Sequence, residues 1–427
     1  MSILKKLASE AALYGLPSIV GRSVYFLLVA LHTRAFAPAE SGVQAELFAY
    51  VAFLQVLYTF GMETSFFRFA SRDNSKQYYN LILSAVIAVS GAFTLFFVLF
   101  ATPLINLLGY PGRESYLVML ALVVALDGIV AIPFARLRLE RKPRRFAFVR
   151  MANILLNVLL NVFFLLFCRD IHAGKYLTFL QPAVHVIYKP EFGVGYVFLA
   201  NLIANLAFIP LLWDLFRDFR FRFDAAAFRP VWLYGYPAEA FFVSQAADKS
   251  APGTFALVMK WFVIACCVLW VGISVNLGWL APLFLQRPEY REGLAVVPVL
   301  LLGNLLLGVY YNLTVWFKLT DRTRYGTWLT FLGAGVNILL NVMLIPVLGY
   351  MGCALAFLLS CAAMTVACYL LGEKYFPVPY SLWSAGIYVG SAALLVFGLG
   401  GVSVGAPLLT AFFQMCVVLV YMAAVVY

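Results

Sequence analysis

Read from its amino end, the sequence alternates between long apolar stretches and short polar breaks. The stretches run at about 11–34, 44–66, 80–108, 115–137, 146–168, 193–216, 255–280, 293–318, 325–346, 351–371, 380–400 and 405–426. A bilayer core roughly 30 Å thick needs about 20 mostly apolar residues per helix, so each stretch is long enough to span it. The runs are continuously apolar instead of alternating with period two, which excludes a transmembrane β-barrel. The pattern predicts an all-α integral membrane protein with about twelve transmembrane helices.

Composition agrees, with 64% hydrophobic and only 11% charged residues, against about one quarter charged in soluble domains. The formal net charge of +11 would suggest nucleic acid only if a water-facing domain carried a basic patch, and no segment is polar enough for one. The charge has a topological reading instead. Placing the N-terminus in the cytoplasm gathers Lys5, Lys6, Arg68, Arg72, the run Arg136–Arg150, Arg217–Arg229 and Arg322 on the inner side. Arg34, Arg113, Arg169, Lys175, Lys189, Arg287 and Arg291 are left outside, which is the positive-inside asymmetry. The apolar run from Ala11 is too long for a signal-peptide core and is expected to stay as the first span. All seven cysteines lie in apolar stretches without a CxxC pair, so they read as packing residues and no metal or cofactor is expected.

Two halves of the chain echo each other. Tyr14-Gly15-Leu16-Pro17 is matched by Tyr234-Gly235-Tyr236-Pro237, and Asn153-Ile154-Leu155-Leu156-Asn157 by Asn337-Ile338-Leu339-Leu340-Asn341. Both copies enter from the same side, so the repeat is parallel, a common transporter plan. Four spans fill the first interval and two the second, which predicts a missing pair of spans with the junction near Pro237–Ala238. The domains expected are a six-helix lobe (1–216), a cytoplasmic basic connector (217–232), a shortened second lobe (233–371) and a C-terminal helix pair (372–427).

The segments 14–43, 61–71, 125–157 and 192–206, with the second asparagine block, resemble the polysaccharide-biosynthesis, O-antigen-flippase-like branch of the multidrug/oligosaccharidyl-lipid/polysaccharide exporter superfamily. The resemblance covers nearly the whole chain. It implies two six-helix lobes around a cavity and a job in surface polysaccharide biosynthesis. A lipid-linked oligosaccharide on undecaprenyl pyrophosphate would cross a bacterial inner membrane from the cytoplasmic to the outer leaflet, with polysaccharide polymerase machinery as a further partner. Members usually have more spans, so the missing pair is a departure from the family pattern. Two other readings stay open: a cation-coupled multidrug antiporter and an inactive scaffold of the assembly machinery.

Arg22 is the sharpest site candidate, because it lies midway along the first span and intramembrane charges are costly and face an interior or a wet cavity. Its guanidinium could grip pyrophosphate oxygens in a bidentate fork or pair with Asp127, at similar depth in the fourth span. Glu63 and Arg68 close the second span, either as an inner gate or as a solvated interfacial pair. Arg136, Arg138, Arg141, Lys142, Arg144 and Arg145 could collect an anionic head group, although positive-inside placement alone explains them. Asn153, Asn157 and Asn161 share one helical face, suited to interhelical hydrogen bonds first and sugar hydroxyls second. His32, His172 and His185 look too scattered for a proton relay. No P-loop, nucleophile elbow or paired carboxylate motif appears, so no enzyme is expected.

Overall fold

The structure, a computed structural model, describes residues 3–70, 75–235, 252–320, 322, 324–399 and 407–426. Every regular element among them is helical. They fall into two compact units, Met1–Glu239 and Ala240–Tyr427. Seven of the described helices are long and apolar enough to cross a membrane, and four shorter apolar helices accompany them. The chain is a multi-pass membrane protein.

Unit 1 contains α1 (Ile3–Ala35), α2 (Pro38–Thr59), α3 (Met62–Ala70), α4 (Ser75–Leu99), α5 (Ala101–Leu107), α6 (Glu114–Leu139) and α7 (Pro143–Val162). It continues with α8 (Arg169–His172), α9 (Gln181–Ile187), α10 (Gly195–Leu206), α11 (Phe208–Leu211), α12 (Trp213–Arg217) and α13 (Ala225–Gly235). The central element is α6, which packs against α2, α4, α7 and α10. Phe134 and Leu137 on α6 are fully buried, in a cluster with Val149 of α7, Phe208 of α11 and Leu215 of α12.

Local breaks divide stretches that read as single spans. Phe60 and Gly61 take φ of 33° and 73°, so the second stretch splits into α2 and α3. Glycine enters that left-handed region without a Cβ penalty. The short helix α3 then buries Met62, Ser65 and Phe66, and Ser65 donates to the carbonyl of Val231 at 3.1 Å. That bond docks α13 beneath α3, so the region expected as a plain basic connector holds a packed helix with Val231 fully buried. Helix α7 opens on Pro143, whose missing N–H costs nothing in the first turn. It runs without interruption through a π-helical segment, Phe163–Cys168, into α8.

Unit 2 contains α14 (Pro252–Val275), α15 (Leu277–Phe284), α16 (Val297–Leu313), α17 (Val315–Leu319), α18 (Arg324–Leu348), α19 (Tyr350–Tyr375), α20 (Leu382–Leu399) and α21 (Pro407–Val426). Its core gathers around Trp270, whose indole N–H donates to the Pro298 carbonyl at 2.9 Å. The last two helices, α20 and α21, pack on α14. The α18–α19 hairpin turns through Gly349 at φ 55°, and Gly352 lies so near the Leu344 backbone that a Cβ would collide with it.

Comparing the two asparagine blocks locates the difference between the halves. In unit 1, α7 packs against both α1 and α10. In unit 2 its counterpart α18 packs on α19, and no other described helix of the unit packs substantially on it. Only 6% of the α18 span is buried, against 67% of α6. The place that α1 fills beside α7 therefore has no counterpart among the described residues of unit 2. The expected junction near Pro237–Ala238 lies outside the described residues.

Candidate functional site

The asparagine face of α7 is a hydrogen-bonding seam through unit 1. Asn153, Asn157 and Asn161 are all buried, and each reaches a different partner. Asn153 donates to Asn205 of α10 at 3.1 Å, and Asn157 donates to Tyr25 of α1 at 3.4 Å. Asn161 donates back to the Asn157 carbonyl at 2.9 Å and its side-chain oxygen at 2.7 Å. His32 Nε2 meets the Asn161 oxygen at 3.1 Å, and Gln44 meets His32 Nδ1 at 3.3 Å. With those amide orientations, His32 is the neutral Nε2–H tautomer, and one directed chain runs Gln44, His32, Asn161, Asn157, Tyr25. In unit 2, Asn341 likewise donates to the carbonyl and side chain of Asn337, while Asn337 reaches Ser360 of α19 at 3.4 Å.

Asp127 on α6 accepts from Asn205 at 3.1 Å, so the same amide joins it to Asn153. The pairing of Asp127 with Arg22 does not occur; no ion pair within 4.0 Å joins them. Arg22 stands exposed on α1, beside Gly21, where a Cβ would lie 3.2 Å from Ile154 of α7. The cation that acts electrostatically on Asp127 is Arg150 of α7. Its guanidinium lies over the Phe134 ring at 4.1 Å and the Phe208 ring at 5.7 Å, a cation–π cradle. Neither Arg22 nor Arg150 bonds to any carboxylate among the described residues.

Along the sequence Arg150 reads as one of the topological cations and not as a neighbour of Asp127. Its spacing from Asn153 and Asn157, three and seven positions away on one helix, was the available signal, since such positions share a face.

At the end of unit 1 where α6 meets α7, the cations are mostly paired. Glu63 takes Arg138 at 2.5 Å, across from α3 to α6, so it has an ion-pair partner on a helix other than the one that carries Arg68. Arg136 bonds Glu140 at 2.7 Å and reaches Asp218 at 3.7 Å, with its guanidinium 4.7 Å from the Tyr79 ring. Lys142 bonds the other Glu140 oxygen at 2.7 Å. Burial disfavours ionisation of Glu140, but its hydrogen bonds from Lys142 and Arg136 outweigh that and hold the carboxyl below the usual range. Arg145 grips Asp214 with two nitrogens, and this bond holds the Asp214 carboxyl low. Arg141 and Arg144 stay exposed. The expectation that Arg136 and Arg138 stand open for a head group thus meets a belt in which both are already neutralised.

The rings of His172 and His185 lie tilted at 44° with centroids 4.4 Å apart, so two of the three histidines that looked scattered are neighbours. Unit 2 holds an apolar cavity of about 600 Å³ among α14, α16, α19 and α20, lined by Met259, Val263, Leu305, Val309 and Val389, with Lys260 in its wall. Among the described residues no cluster of histidine, cysteine or carboxylate side chains could hold a metal.

Residues 31–186 match the family described as polysaccharide biosynthesis protein. No curated protein sequence matches the chain. Among solved structures, the fold is similar to the lipid II flippase MurJ in an inward closed conformation, at 13% identity and a TM-score of 0.71 over 96% of this chain and 98% of that one. A solved chain described only as protein A is similar at 15% identity and TM-score 0.52, over 88% of this chain and 97% of its own length. A multidrug-resistance MATE transporter aligns over 97% of this chain and 96% of its own, at 13% identity and a TM-score of 0.37, too loose a fit to bear on function. The chain is thus a membrane protein with the fold of the lipid II flippase MurJ, and its residues 31–186 carry the sequence pattern of the polysaccharide biosynthesis family.

Proposed function

We propose that the protein carries a lipid-linked oligosaccharide from the cytoplasmic to the outer leaflet of a bacterial inner membrane by alternating access, supplying surface polysaccharide assembly. One observation carries this reading: Arg22 and Arg150 sit in long apolar helices, and among the described residues neither forms an ion pair within 4.0 Å, Arg150 meeting Asp127 only through its longer-range field. A guanidinium in that setting calls for an anion, and its planar fork suits the oxygens of a lipid pyrophosphate.

In this mechanism the exposed Arg141 and Arg144 meet the head group first, and Arg150, held flat by Phe134 and Phe208, positions the phosphates. The asparagine seam keeps α1, α6, α7 and α10 in register while the sugar passes. Flipping of a fluorescent lipid-linked oligosaccharide in proteoliposomes tests it. Arg22→Ala and Arg150→Ala are each expected to slow flipping by at least about tenfold, the loss of one charge-assisted contact. Arg150→Lys should not restore it, because a point charge neither stacks nor forks as arginine does. Rates equal to wild type in all three variants would remove both arginines from the site.

The antiporter reading rests on Asp127. A carboxylate already bonded by Asn205 and facing Arg150 is poorly placed to take a cationic drug. Drug export that disappears in Asp127→Asn while lipid flipping is absent would favour that reading over ours.

A further inference from the structure

Helices α1 and α7 run parallel, since Gly21 meets Ile154, Tyr25 meets Asn157 and His32 meets Asn161 in the same order along both chains. Their far ends, remote from the basic α6–α7 turn, enclose a polar cavity of about 150 Å³ lined by Arg34, Ala35, Leu165, Arg169, Asp170 and Lys175. A water molecule occupies about 30 Å³ in the liquid, so a phosphate group with attendant water fits. The π-helical segment Phe163–Cys168 shapes one wall, and such segments recur at functional sites. It delivers Arg169 to the end of α1, where Nη1 donates to the Ala35 carbonyl at 3.4 Å.

The charge balance of the pocket is uneven. Its one carboxylate, Asp170, is taken by Lys175 at 2.7 Å. Among the described residues Arg169 is held only by that long carbonyl bond, and Arg34 makes no ion pair. Two guanidinium groups thus share a small cavity without a counter-ion of their own. On the positive-inside reading this end carries the fewest cations, so topology does not explain their gathering here.

We propose that this pocket is an anion site for the phosphate or pyrophosphate group of a membrane lipid, placed to receive the translocated substrate's head group on the far side. The assignment of the substrate rests on the flippase reading above; the anion site itself does not. Full-length protein in phosphatidylcholine nanodiscs, titrated calorimetrically with inorganic pyrophosphate, tests it. Replacing both arginines, Arg34→Gln with Arg169→Gln, is expected to weaken binding by about tenfold or more. Asp170→Asn removes the competing carboxylate and frees Lys175, so it should tighten binding severalfold, a gain that misfolding cannot imitate. Unchanged affinity in the double variant, or weaker binding in Asp170→Asn, would overturn the site.

Two arms separate the sources of the phosphate. If phosphatidylglycerol in the nanodisc suppresses pyrophosphate binding in the wild type, the site belongs to bulk anionic lipid and its link to the substrate falls. If the double variant loses pyrophosphate binding yet flips lipid at the wild-type rate, that link falls as well. Neither result touches Arg22 and Arg150, whose own variants decide the flippase reading.

Discussion

The amide of Asn205 donates to the carboxylate of Asp127 at 3.1 Å. Because the same side chain accepts from Asn153, one residue of α10 holds the charged face of α6 and the asparagine face of α7 together.

Asn205→Leu should unfold the seam locally. Both Asp127 and Asn153 lose a partner, and an unsatisfied buried polar group costs about 1–3 kcal/mol, although membrane hydrogen bonds average nearer 0.6 kcal/mol. A fall in detergent Tm is expected, larger than that of Asp127→Asn, which keeps an acceptor at Oδ1. Equal Tm values for Asn205→Leu and wild type would mean that the bond adds nothing.

Acid should loosen the α7–α12 contact. The Arg145 hydrogen bond lowers the folded pKa of Asp214. Its stabilisation is complete above the unfolded value, about 3.9 for aspartate, and is lost as pH falls through the lower folded value. The Tm gap between wild type and Asp214→Asn should thus be present at neutral pH and close in acid. Asp214 is more than half exposed, so solvent screening keeps the effect small. A gap that stays constant down the titration would show that the pair is not responsible.

Topology can be read at Arg141. In a background with the seven native cysteines replaced by serine, Arg141→Cys should resist a membrane-impermeant maleimide in intact spheroplasts. It should react in inverted vesicles. Labelling in intact spheroplasts would reverse the orientation assumed throughout the proposed mechanism.

Much of this molecule was legible along the chain because the bilayer imposes a local demand. About 20 apolar residues in a row must become a helix wherever they fall, so the spans around α4, α6, α7, α16, α18 and α19 could be placed from the sequence. The paired asparagine blocks could be read for the same reason, as repeated spacing needs no knowledge of neighbours.

Which partner each charged group takes was another matter. Glu63 and Arg138 lie 75 positions apart, and Arg145 and Asp214 are 69 apart. Helical periodicity names the face a residue occupies but not the helix that packs against it. Arg22 and Asp127 share a depth and still do not pair, because α10 brings Asn205 to Asp127 and α7 brings Arg150 near it. Likewise the positive φ at Phe60 and Gly61, which breaks one apolar stretch into α2 and α3, follows from how α3 docks on α4 and α13. Depth in the membrane is a property of the chain, whereas the azimuth of each helix, and with it every ion pair, arises from packing.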